Sequence, residues 1–202
     1  MTLYSDPIGI GSHRVRLVLA EKGMLINIIQ VTNQNLIPDS LRNSLDHVEL
    51  PILINRELIL YNTRIISEYL DERFPHPPLL PVYPIERARY RLMIHELEHE
   101  WLDVAEQILK TKNELSRRKL RKELTERIVE SAPFFTQHDY FLGDEFSLVD
   151  CCLAPLLYRL PILGIELPEE AAKNIRRYLE KVMRRNTFQT SLSDEERDFR
   201  GK

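Results

Sequence analysis

Apolar positions change their spacing repeatedly along this chain. Met1-Thr2-Leu3-Tyr4 reads as a strand, stopped by Asp6-Pro7 and a turn at Gly9 and Gly11. From Ser12 the period becomes helical, with Val15, Val18 and Leu19 at i, i+3 and i+4 among Arg14, Arg16, Glu21 and Lys22. Ser12 reads as the N-cap and Gly23 as the residue just past the helix end. Residues 26–31 read as a buried strand, and 32–48 as a polar segment with one short helix near 38–45. Pro51-Ile52-Leu53-Ile54 and Leu58-Ile59-Leu60-Tyr61 flank a turn at Asn55-Arg56-Glu57, which predicts a hairpin. Ile65, Ile66, Tyr69 and Leu70 mark a helix ending near Arg73. Beyond it the spacing is helical throughout: 85–112, 115–131 bounded by Pro133, a helix starting at Ser147, and one over about 168–184. The order β-α-β-(α)-β-β-α needs a parallel crossover plus an antiparallel strand. A small α/β domain over 1–74, a linker over 75–84 and an α-helical domain over 85–202 follow.

Composition sharpens this in three places. Of 12 prolines, Pro75, Pro77, Pro78, Pro81 and Pro84 fall within ten residues, where fixed φ and missing amide donors forbid a helix. Pro84 suits the first position of the helix that follows. Lys+Arg at 28 against Asp+Glu at 31 gives net charge −3, which argues against a protein that grips nucleic acid by charge. The two cysteines, Cys151 and Cys152, are adjacent, so no disulfide framework is expected and a reducing, cytoplasmic setting is. No apolar run approaches the ~18 residues of a membrane span, and no signal peptide is expected.

Four local patterns hint at other chemistry, and each has a plainer reading. His95-Glu96-Leu97-Glu98-His99 fits H-E-x-x-H, but its acidic surroundings read as a solvated helix face without a third ligand. Gly9-Ile10-Gly11 begins a dinucleotide fingerprint whose third glycine position holds Arg14. Cys151 and Cys152 sit in an apolar helix without a C-x-x-C or a flanking base. Arg117-Arg118-Lys119 with Arg121-Lys122 is followed by Glu123 and Glu126, as in a solvated face with i, i+4 pairs.

Leu50-Pro51 stands just before the third strand, and an X–Pro bond is the one peptide that adopts cis cheaply. Phe146-Ser147-Leu148-Val149-Asp150 can form a capping box. With the domain order, these features resemble the glutathione S-transferase superfamily, a thioredoxin-like domain followed by a helical one. Within it, residues 12–23, 69–84 and 140–161 resemble the stringent starvation protein A family. That resemblance implies a bacterial transcription regulator bound to RNA polymerase holoenzyme with its sigma factor. It also implies a homodimer, no glutathione chemistry, no cofactor or metal, and no direct sequence-specific contact to nucleic acid.

The superfamily's enzymes place a hydroxyl or thiol at the start of the first helix, here near Gly9-Ile10, neither of which can serve. Their γ-glutamyl site uses an acidic residue and Ser after the fourth strand, where this chain has Asn62-Thr63, with Thr63 expected to cap the next helix. Losing such a charged contact typically costs about 1.5–3 kcal/mol of binding. The alternative, a glutathione-dependent transferase or isomerase, would rely on Tyr4 or Ser5. The proline cluster is the other candidate surface. Pre-ordered backbone loses little entropy on binding, and tyrosine is a frequent interface anchor. The family resemblance implies a protein-binding role for Pro75, His76, Pro77 and Tyr83 alone; Phe74, Leu79 and Leu80, as apolar neighbours, read as packing inward and fixing the linker.

Overall fold

Four short strands form one sheet in the order β2-β1-β3-β4. In the computed structural model, which describes residues 1–45 and 48–200, β1 is Thr2–Ser5, β2 Asn27–Gln30, β3 Ile52–Asn55 and β4 Leu58–Leu60. β1 runs parallel to β2, with Thr2 opposite Asn27, and antiparallel to β3, with Leu3 opposite Leu53. β3 and β4 form the expected hairpin, its turn carrying Arg56 at φ 57°. Of the polar segment 32–48, residues 46 and 47 lie outside the described residues; a short helix, α2, occupies Asp39–Asn43. Tyr4, Val31, Ile37, Leu41 and Ile52 make the core on this side of the sheet.

The crossover helix α1 (Ile10–Glu21) starts two residues before the expected cap and is capped by Gly9, with no side-chain cap bond. Asp6 explains the shift. Its carboxylate Oδ1 accepts from the Ile8 and Gly9 amides at 2.9 and 3.1 Å, and Ser12, inside the helix, accepts from the Asp6 amide at 2.9 Å. The helix ends as expected, with Gly23 in the left-handed region at φ 61°. Nearly every side chain of α1 is buried, Arg14 and Arg16 included. It packs against α3 (Thr63–Arg73) and α11 (Asn186–Ser191). The strand read as buried, β2, is instead a sheet edge with Ile28 39% exposed. Helix α3 is capped by Asn62, not Thr63. The Asn62 side-chain oxygen Oδ1 accepts from the Arg64 and Ile65 amides, and Thr63 becomes the first helical residue.

The compact units divide at Pro77/Pro78, and the segment from Asn186 on, read as the end of the helical domain, belongs with Met1–Pro77. Besides α11 it contains α12 (Asp194–Arg197) and a last turn over Asp198–Arg200, elements too short for periodicity to reveal. Residues 201 and 202 of the expected helical domain lie outside the described residues.

Pro78–Arg185 form the second unit. The expected long helix is α4 (Pro84–Leu97) and α5 (Asp103–Lys110), continuous through a wide turn of π geometry at Glu98–Leu102. Pro84 takes its first position. α6 (Glu114–Glu130) is capped by Asn113, and a short α7 (Phe134–Gln137) follows. α8 (Leu148–Tyr158) is buried along its whole length and opens with the expected capping box of Ser147 and Asp150. Asp150 accepts from the Phe141 and Ser147 amides, the Ser147 hydroxyl and the Tyr178 hydroxyl, at 2.8 to 3.1 Å. Burial still pushes its carboxyl above the ordinary range and lifts the Tyr178 phenol well above its own. A one-turn α9 (Leu160–Leu163) and an amphipathic α10 (Glu169–Met183) complete the unit.

Candidate functional site

Around the start of α1, where a thiol-activating hydroxyl would stand, Tyr4, Ser5 and Ser12 are all buried, and the two serine hydroxyls already hold hydrogen bonds. Gly9 and Ile10 occupy the expected position, and Ile10 is buried. Tyr4 is part of the sheet core. Ser5 is fully buried and accepts a hydrogen bond from Arg16 Nη1. Ser12 holds the Asp6 amide. The Leu50–Pro51 bond is cis and Pro51 is buried nearby. A Cβ added at Gly11 would come within 2.7 Å of Thr63 Oγ1 and 3.7 Å of Pro51, so these three residues already meet closely. At the γ-glutamyl position, Asn62 spends its side-chain oxygen on two amides of α3. Asn62 itself is uncharged, so it cannot pair with an ammonium group as a carboxylate would.

The Pro-His-Pro element is built differently. Pro75, His76 and Pro77 are all exposed, and the His76–Pro77 peptide is cis. The chain reaches them from α3 through half-buried Phe74, with the Arg73 guanidinium 5.6 Å from its ring centroid. Beneath the exposed residues lies a buried ion pair. Lys22 Nζ stands 2.6 Å from Asp71 Oδ1 and also donates to the Pro77 carbonyl. The end of α1, the last turn of α3 and the proline element are thereby tied at one cation. In the second unit, Leu79 and Leu80 are buried as expected, and the Leu79 carbonyl accepts from the Leu148 amide at 2.8 Å. Tyr83 precedes Pro84 and is 73% exposed, between exposed Val82 and Ile85. Three of the four expected binding residues are therefore consecutive on one anchored loop, and Tyr83 belongs to the other unit.

The remaining motifs resolve into ordinary contacts. The His95 and His99 rings meet edge to face at 4.3 Å between centroids, and His99 Nδ1 lies 3.2 Å from Asp103. Among the described residues, no three His, Cys, Asp or Glu side chains gather as a metal site. Cys151 and Cys152 are both thiols buried in α8. In the basic run, Arg117 and Arg121 reach Glu114, and Lys122 faces Glu126, as a solvated face would. Among the described residues, no helix is long and apolar enough to cross a membrane.

Sequence reasoning missed the charged centre of the first unit. Arg16 Nε donates to the Ser191 carbonyl at 2.8 Å, and its Nη2 meets Glu196 at 2.7 Å. His13 Nε2 lies 3.0 Å from the Ser191 hydroxyl. Ser193, capping α12, donates to the Pro7 carbonyl at 2.6 Å. The only signal was the Ser193-x-x-Glu196 spacing of a capping box.

Comparison with known proteins agrees with this architecture. Residues 3–78 match the family model for the glutathione S-transferase N-terminal domain, and 88–186 the one for its C-terminal domain. A stringent starvation protein A homolog of Coxiella burnetii is 44% identical over 99% of this chain and 95% of its own length. One from Pasteurella multocida is 44% identical over 95% of this chain and 90% of its own. Among solved structures, a ternary complex of BphK, a bacterial glutathione S-transferase, superposes with a TM-score of 0.83 at 21% identity, covering 95% of this chain and 98% of that one. That last likeness shows the fold.

Proposed function

This chain belongs to the stringent starvation protein A family, within the glutathione S-transferase superfamily, and on that premise we propose that it is a non-enzymatic bacterial transcription regulator. It docks on RNA polymerase holoenzyme, polymerase and sigma factor together, through Pro75, His76, Pro77 and Tyr83. It acts in the cytoplasm and needs no cofactor. The observation that carries this reading is the exposed Pro-His-Pro element fixed from below by Lys22 and Asp71. A stiff loop whose backbone is already held pays little ordering entropy on docking. Exposed Tyr83 supplies the amphipathic anchor that interfaces favour.

The burial of Tyr4 in the sheet core and the hydrogen bond that Ser5 accepts from Arg16 support a regulator over a transferase. With net charge −3, action at a promoter is better served by protein contact than by phosphate contact. The test is retention of holoenzyme on the immobilised protein. Wild type is expected to retain polymerase and sigma, and the His76→Ala/Tyr83→Ala variant to lose at least about tenfold in affinity, the size of one or two anchor losses. Equal retention by both, or by neither, overturns the reading.

A further inference from the structure

Helix α10 carries a row of cations on its outer face. Between Lys173 and Arg185, six of thirteen residues are basic and only Glu180 is acidic, in a chain of net charge −3. Ile175, Tyr178, Leu179 and Val182 are buried on the inner face. Lys173, Arg177 and Arg184, at i, i+4 and i+11, share the opposite face with Arg176 beside them, over about 16 Å of helix. All four are exposed, and none makes a side-chain hydrogen bond or ion pair among the described residues. The basic run of α6 differs, since Arg117, Arg121, Lys122 and Arg127 reach glutamates. The helix dipole favours a cation such as Arg184 near the last turn. That effect fades within a turn and does not account for Lys173, Arg176 and Arg177.

Beside the row lies a cleft of about 340 Å³, lined by Arg177, Tyr178 and Lys181 of α10 and, across from them, by Phe135, His138 and Asp144. Lys181 is already committed, 2.8 Å from Asp139 and 4.6 Å from the Tyr140 ring centroid. His138 Nδ1 lies 3.6 Å from Asp144. Arg177 is the cation left to meet a guest. The aromatic side of the cleft is fixed beforehand, since the Phe135 and Tyr178 rings meet at 5.1 Å and the Tyr178 hydroxyl donates to Asp150. Charge decides what fits. A carboxylate on a short stem can meet Arg177 in the cleft while further acids meet Lys173, Arg176 and Arg184 outside it. Duplex DNA fits worse. Its phosphates repeat every ~3.4 Å along each strand whatever lies opposite, and exposed Glu169, Glu170 and Glu180 stand on the same helix. A peptide can set acids opposite the arginines and uncharged groups opposite the glutamates.

We propose that the outer face of α10 and the adjoining cleft bind an acidic, extended segment of a partner protein, with one of its carboxylates entering the cleft against Arg177. This surface shares no residue with the proline element, so it works whether or not that element docks on polymerase. A few charge-assisted contacts on an open face set the expected dissociation constant at about 10–100 µM.

Fluorescence anisotropy on the full chain at about 0.1 M salt tests this, with a short fluorescein-labelled Glu-Ser repeat peptide and its Gln-Ser counterpart as probes. Wild type is expected to bind the glutamate peptide at least about tenfold more tightly than the glutamine peptide. Arg177→Glu/Arg184→Glu should weaken the glutamate peptide at least about tenfold. Arg118→Glu/Lys119→Glu changes the net charge equally on exposed positions of α6 and should stay within about twofold of wild type. His76→Ala/Tyr83→Ala should bind as wild type does, which separates this surface from the proline element. Even were a charge reversal to unfold the chain, the comparison of the two peptides on wild type decides. Absence of glutamate-peptide binding up to about 1 mM overturns the proposal. So do equal losses in the α10 and α6 variants, loss in His76→Ala/Tyr83→Ala, or tighter binding of a labelled duplex DNA than of the glutamate peptide.

Discussion

Arg16 Nη2 stands 2.7 Å from Glu196 Oε1, both side chains sealed from solvent although 180 residues separate them. The pair joins the first helix to the last segment of the chain, and Ser5, Asp6 and Ser191 satisfy the rest of the guanidinium. Glu196 also closes the capping box of α12, accepting from the Ser193 amide at 2.9 Å. One carboxylate thus neutralises a buried cation and starts a helix.

Removing that carboxylate strands the cation. Glu196→Ala is expected to lower the unfolding free energy by about 3–5 kcal/mol, and Arg16→Met/Glu196→Met by clearly less, because the double variant leaves neither partner of the pair behind. Denaturant unfolding of the three variants checks this. Equal losses in the single and double variants would show that packing, not the charge, sets the cost.

Lys22 separates stability from docking. Lys22→Met takes the cation from Asp71 and from the Pro77 carbonyl, so the chain should lose about 3–5 kcal/mol and the His76 amide should exchange faster. Adding Asp71→Leu should recover much of the stability but not the holoenzyme affinity, because Pro77 remains untied. If stability and affinity recover together, the ion pair does not position the loop.

Asp150 makes a signed pH prediction. Burial raises its folded pKa above the ordinary carboxylate value, so in the window just above that value the native state holds more protons than the unfolded state. Its contribution to stability is present below that window and lost as pH rises through the folded pKa. The stability difference between wild type and Asp150→Asn should therefore favour wild type most at acidic pH and shrink toward neutrality. Urea titrations at several pH values read it directly, and a difference that grows with pH would reverse the sign.

Glutathione offers the sharpest contrast between regulator and enzyme. Calorimetry with millimolar glutathione is expected to give no binding heat, since Asn62 replaces the acid and Ser5 is held by Arg16. Measurable heat together with conjugation of a model electrophile would promote the transferase reading.

What was legible beforehand is local in origin. The Ser147–Asp150 capping box, Pro84 opening α4, Gly23 closing α1 and the β3–β4 hairpin each follow from residues within a few positions of one another. The candidate docking residues were legible for the same reason, since a run of prolines dictates stiff, non-helical backbone whatever surrounds it. Small errors arose where two neighbours compete for one role, as Asn62 and Thr63 do for a cap and as Asp6 pre-empts Ser12.

Tertiary structure decided the rest. Arg14, Arg16 and Lys22 are charged positions of the α1 stretch, yet they are buried in a helix on which α3 and the returning C-terminal segment pack. A charge pattern shows that a helix has a polar side; whether that side meets water or a carboxylate depends on which distant segment folds against it. Glu196 reaches Arg16, and Asp71 reaches Lys22, only across the folded chain. The sequence by itself thus determined the elements, the two-part fold and the exposed proline surface, because their causes are short-range. The buried ion pairs that hold the first unit together, and the anchor beneath that surface, were decided by long-range packing, which no local periodicity encodes.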